Sequence, residues 1–162
     1  MNNKIYLFII VSSALLLWTS CVDDNGTEEI FPEVEILSPL ACDTIYFNQT
    51  VTYRIRISDK SGSGLGNIAM DIHNNFNHHT HGSHVTCSMD PKKNPQHPYE
   101  HAWIFSLPND ASEYILEEEI MIPGNKNDST LHDYGDYHYH IYVTNNEGYQ
   151  TFTTLDVKLL HK

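Results

Sequence analysis

Apolar side chains recur at every second position over most of the chain, a period that predicts strands and not helices. The clearest run is 51–57, where Val51, Tyr53, Ile55 and Ile57 alternate with Thr52, Arg54 and Arg56. A Ser- and Gly-rich turn signal follows at 59–66. Ile68, Met70 and Ile72 then resume the inward row, which leaves Asn67, Ala69, Asp71 and His73 on the opposite face. Val34 and Ile36 predict an earlier strand, and Trp103 with Phe105 marks another over 102–107. A further strand is predicted over 114–122, interrupted by Glu117, Glu118 and Glu119. The last two, 137–144 and 149–160, are joined by Asn145-Asn146-Glu147-Gly148. No 3.6-residue period is sustained, so the pattern predicts an all-β, two-layer antiparallel sandwich.

Residues 133–137, Asp-Tyr-Gly-Asp-Tyr, sharpen that expectation. They resemble the tyrosine corner of immunoglobulin-like domains, in which the Tyr opens strand F and its hydroxyl binds backbone upstream. The expected fold is therefore an immunoglobulin-like antiparallel β-sandwich over residues 32–162. Tyr139 occupies the place of the usual disulfide Cys. Tyr137, Tyr139, Ile141 and Val143 should face the core, and His138, His140, Tyr142 and Thr144 should face out.

The first residues read differently. Lys4 precedes the apolar run 5–18, and Thr19-Ser20-Cys21 ends it, which predicts a cleaved signal peptide over 1–20. A small residue before a cysteine at the end of such a run resembles the bacterial lipobox, although Trp18 departs from its usual choice. Cys21 would then be lipidated, and the acidic segment 21–31 would tether the domain to the membrane through that lipid. Asp23-Asp24 resembles the acidic tag of surface-exported lipoproteins. The expected location is the outer membrane, facing the periplasm or the surface.

Charge narrows the partners. Nine basic against 21 acidic residues give a formal net charge of −12, which repels phosphate backbones, so no nucleic-acid partner is expected. Cys42 and Cys87 form an even pair in an oxidising compartment and permit one disulfide. The competing assignment makes Cys87 a thiolate ligand three residues beyond His84.

The histidines carry the candidate chemistry. Ten of the 11 fall between positions 73 and 140, with five inside residues 73–84. Neutral imidazole is the commonest ligand for zinc, copper and nickel, and a cluster lets several nitrogens converge on one ion. If the strand ending at His73 neighbours the strand carrying His138 and His140, their outward side chains share a face. The expected metal site is His73, His138 and His140, closed by loop histidines, with His78 or His79 ahead of His81 or His84. Asp71 would orient an imidazole N–H from outside the ligand set. Zinc is the expected cofactor, with copper or nickel as alternatives, and an outer-membrane transporter or surface protein as partner.

Two other functions fit the residue types. One is an adhesive, glycan- or protein-binding module using Phe76, Trp103, Tyr142 or Tyr149 as stacking platforms. The other is a metal-dependent hydrolase. Its one motif, His97-Pro98-Tyr99-Glu100-His101, needs a helix to bring both imidazoles onto one face, and the prolines oppose that helix. Gly62-Ser63-Gly64-Leu65-Gly66 lacks a following helix and a phosphate-binding lysine, so it reads as a turn. The expected protein is non-catalytic.

The lipobox-like start, the strand that runs into "HNNFNHHTH" and the later "GDYHYHIYVTNNEG" together are similar to a family of Bacteroidetes lipoproteins of unknown function. The resemblance implies an immunoglobulin-like domain with recurring histidines at His73, His78, His79, His81, His138 and His140. It implies no activity.

Overall fold

The structure is a computed structural model that describes residues 30–81, 85–127 and 129–162. The expected signal peptide, Cys21 and most of the tether lie outside the described residues, as does His84. Eight strands follow one another: β1 Glu33–Ser38, β2 Thr44–Tyr46, β3 Gln49–Ser58, β4 Leu65–Asn74, β5 His101–Ser106, β6 Glu113–Ile122, β7 Gly135–Asn145 and β8 Gln150–Leu160. They form a three-stranded sheet in the order β1-β3-β6 and a five-stranded sheet in the order β2-β8-β7-β4-β5. This is the immunoglobulin-like arrangement, with β3 and β6 in the places of strands B and E, and β4, β7 and β8 in those of C, F and G.

Alternation explains the core. Tyr53, Ile55 and Ile57 from one sheet meet Ile68, Met70, Ile72, Tyr139, Ile141 and Val143 from the other, all buried. Each such side chain contributes roughly 1.5–3 kcal/mol by leaving water. The hydroxyls of Tyr53 and Tyr139 hydrogen-bond to each other across the sandwich, with ring centroids 5.3 Å apart. They join β3 to β7 where an antibody domain carries its inter-sheet disulfide. Tyr137 makes the corner contact, its hydroxyl donating to the Asp133 carbonyl at 2.5 Å and accepting from the Tyr99 N–H at 3.1 Å.

Two elements depart from the sequence expectation. β2 pairs parallel to β8 over three residues, a segment too short to show a period. β6 runs through its three glutamates without a break. Glu117 and Glu119 stand on the outer face, where Glu117 meets Arg54 at 3.0 Å, and only Glu118 occupies an inward position, half-buried. Like charges in succession alternate between faces in a strand, so the run costs less than it seems to in one dimension.

The long connection between β4 and β5 is fastened at several points. Cys42 and Cys87 are bonded, their Cα atoms 5.3 Å apart, which staples this connection to the turn before β2. The Asp90 N–H donates to Asp136 Oδ2 at 2.7 Å, and Asp133 Oδ2 accepts from the N–H groups of Gln96 and His97, each at 2.7 Å. The stretch 97–100 bends without forming a helix and His101 opens β5, so its two histidines do not share a helix face. Phe76 is buried beneath Lys93, and Trp103 packs inward against Tyr139. Neither ring is a surface platform, which corrects that part of the glycan-binding expectation.

Candidate metal centre

β4 and β7 are antiparallel neighbours, and their register sets His73 opposite His138 and Asp71 opposite His140. All four side chains leave the outer face of the five-stranded sheet, because Ile72, Tyr139 and Ile141 between them point into the core. The His73 ring lies 4.4 Å from His140 and 5.6 Å from His138, centroid to centroid. β8 continues the row, with Asp156 in register with His138.

The loop brings two more imidazoles over this platform. His79 stacks on His73 at 5.4 Å, and His81 stands edge-on to His140 at 4.3 Å and to His79 at 4.7 Å. His78 is not part of the group. Its backbone takes a left-handed conformation, φ 58°, and its Nε2 meets the Asp90 carbonyl at 2.8 Å. That turn reverses the chain, sends His78 away and delivers His79 and His81, so the expected preference for His78 over His81 is reversed.

Oxygen acceptors dictate which nitrogen of each ring is free. Asp71 Oδ1 lies 3.2 Å from His73 Nδ1 and 3.5 Å from His140 Nδ1. Asp156 Oδ1 contacts His138 Nδ1, and Asn77 Oδ1 contacts His79 Nδ1. The same Asn77 oxygen accepts the His79 backbone N–H at 3.3 Å, which fixes the orientation of the amide. Carboxylate and amide oxygens only accept, so the Nδ1 atoms of His73, His138 and His79 donate to them, which leaves the Nε2 atoms of His73 and His79 facing each other.

His73 Nε2 and His79 Nε2 are 3.3 Å apart, and His138 Nε2 donates to the His79 carbonyl oxygen at 3.2 Å. His81 Nε2 and His140 Nε2 are buried with no hydrogen-bond partner among the described residues. Ring nitrogens this close, beside two without partners, form an arrangement that a cation or a shared proton would satisfy. Ligand atoms of His73, His79 and His81 all lie within 4.8 Å of one another, as do those of Asp71, His73 and His140. Tetrahedral zinc with bonds of about 2.05 Å places its nitrogens about 3.3 Å apart, the spacing that His73 and His79 already hold.

Electrostatics keeps the rings ready. Burial holds His79 and His81 below the ordinary imidazole range, with neighbouring histidines adding to the effect. Burial pushes His140 down to about 4, against the opposing pull of Asp71. Rings that resist protonation offer lone pairs at neutral pH. Sequence reasoning named Asp71 but missed Asp156 and Asn77. Asp156 was within reach: pairing back from the 145–148 turn, with Thr144 opposite Gln150, places Asp156 opposite His138.

Residues 19–160 match the profile of the domain of unknown function DUF4625. The chain belongs to the DUF4625 family. No curated protein matches the sequence. Among solved structures it is similar to the CARDB domain of the PF1109 protein of Pyrococcus furiosus in complex with di-metal ions, at 13% identity and a TM-score of 0.38 over 83% of this chain and 94% of that one. It is also similar to a beta-glucosidase of Listeria innocua in complex with gluconolactone, at 12% identity and a TM-score of 0.40 over 80% of this chain and 16% of that one. Spo0M, a sporulation control protein of Bacillus subtilis, follows at 6% identity and a TM-score of 0.38 over 80% of this chain and 49% of that one. DUF4625 membership brings no activity with it, so the functional reading rests on the histidine geometry.

Proposed function

We propose that this protein is a non-catalytic cell-envelope lipoprotein that binds one transition metal ion, zinc first and copper or nickel as alternatives. His73, His79 and His81 supply Nε2 atoms, His140 adds a fourth, and His138 flanks them. Asp71, Asp156 and Asn77 hold the Nδ1 protons, which fixes ring orientation and raises ligand basicity. The observation that carries this reading is the 3.3 Å approach of the His73 and His79 Nε2 atoms beside the buried, unpartnered Nε2 atoms of His81 and His140. Five clustered imidazoles suit a borderline metal and disfavour calcium or magnesium, which take oxygen ligands.

Cys21 attaches the domain to the outer membrane by lipid, and the bound ion is stored there or passed to a transporter or surface partner. Tag-free protein, purified without a metal column, should contain close to one equivalent of zinc, copper or nickel by mass spectrometry. It should also take up zinc after chelation, with a calorimetric endpoint near one. A stripped protein that takes up none of the three metals would sink the proposal. Cys21→Ser should release the protein from the membrane fraction, and retention of the variant with its acyl mass would remove the anchor.

A second reading, glycan binding without metal, draws on one outward pair. Tyr142 and Phe152 face solvent beside His140, with ring centroids 5.0 Å apart. Glycan binding that persists in chelator would favour it.

A further inference from the structure

A cavity of about 450 Å³ lies against the histidine centre on its loop side. His79, His81 and His138 line it on one side, and Met89, Val157 and the Cys42–Cys87 disulfide line it elsewhere. Its volume falls within the roughly 300–1,000 Å³ of small-molecule sites, and an apolar wall with a few convergent polar groups is their usual make-up. An ion held by the imidazoles would therefore border a space larger than any water needs.

The charges around that space select the class of occupant. The two positive charges of a divalent ion are offset by Asp71 and Asp156, which contact the imidazoles. Lys158 lies 2.5 Å from Asp90 and 3.5 Å from Asp136, so it is more than neutralised. With the lining already balanced or negative, an anionic ligand would enter against like charge, whereas a neutral nitrogen donor would not. The apolar wall in turn favours a ligand with an apolar body.

We infer that this cavity binds a neutral imidazole-type heterocycle with an apolar body, its nitrogen entering as a fifth ligand beside the four imidazoles and its body packed on Met89, Val157 and the disulfide. This inference rests on the metal-binding reading. It makes the protein a receptor for a metal together with a small organic ligand, beyond a store of bare ions.

The test uses the full chain loaded with cobalt(II), whose visible bands report its coordination. The probes are 4-phenylimidazole and benzoate, similar in their aromatic body and opposite in donor type. The expected result is a saturable band shift with 4-phenylimidazole at an affinity at least about tenfold above that of benzoate. Met89→Trp, which fills the cavity, should weaken 4-phenylimidazole by about tenfold or more and leave cobalt affinity within about twofold. If that variant also loses cobalt, Met89→Ala serves in its place and should keep cobalt while binding the heterocycle more weakly. Cobalt bands that ignore 4-phenylimidazole, equal or tighter binding of benzoate, or an unaltered heterocycle affinity in the Met89 variants would overturn the inference while leaving the metal site standing. Absence of cobalt bands from the unmodified protein is a separate failure, which removes the metal-binding reading and this inference with it.

Discussion

The two halves of the histidine centre are built in different ways. His73, His138 and His140 stand on adjacent strands, and two carboxylates on β4 and β8 hold their Nδ1 atoms. Their order comes with the sandwich itself. His79 and His81 sit on a segment outside the ladder, held by Asn77, by the left-handed turn at His78 and by the distant disulfide. Fixing each backbone residue costs roughly 1–2 kcal/mol, which a strand offsets with its neighbours' bonds and a loop must offset with individual fastenings.

The staple tests the loop half most severely. Cys42→Ser with Cys87→Ser should lower the stability of the metal-free protein by about 4 kcal/mol, the chain-entropy value for a 45-residue closure. Urea unfolding measures this, and zinc titration of the same variant should show a weakened loop contribution. An unchanged zinc affinity would mean that the loop histidines order without the staple.

His73 belongs to both halves, since its Nε2 faces His79 and its Nδ1 faces Asp71. His73→Ala should therefore cost at least about 100-fold in zinc affinity, near 2.7 kcal/mol, with the β-sheet circular dichroism retained. His79→Ala and His81→Ala should each cost less, because the sheet ligands stay in place. A larger loss from either loop variant than from His73→Ala would invert the comparison. His161, whose Nε2 bonds the His132 carbonyl far from the centre, is the control, and His161→Ala should leave the titration unaltered.

Asp156→Asn probes the sheet half without touching a ligand. It should reduce zinc affinity by roughly tenfold, the low end for disturbing such a partner, because the His138 ring it orients packs against His73, His79 and His81. An unchanged isotherm would mean that His138 does not help to position the ligands.

Acidification gives the smallest and most graded effect. His140 titrates at about 4 in the folded chain and near 6.5 when unfolded, so the unfolded state binds the proton first. The stability tied to its neutral form is complete above pH 6.5 and is lost as the pH falls through the folded value. His79 and His81 shift in the same direction. The urea midpoint of metal-free protein should fall between pH 6.5 and 4, and His140→Gln should flatten that slope. An equal slope in the variant would assign the acid sensitivity to other groups.

Alternation alone determined much of this protein. The strand faces of 51–57, 68–72 and 137–144 and the outward placement of His73, His138 and His140 all follow from a period of two, since a strand admits only two faces. Given neighbouring strands, the shared face of those three histidines is also a local property, and Asp156 follows from counting back along a hairpin. The loop had no such period. Whether His78 or His81 joins the site depends on a single backbone turn and on the Asp90 carbonyl that captures His78, a partner 12 residues away. The short β2, the Cys42 to Cys87 closure and the cavity beside the histidines likewise arise from segments that meet only after the sheets have packed. Local sterics give each strand its face, whereas loop order comes from contacts between distant residues, and those exist only in three dimensions.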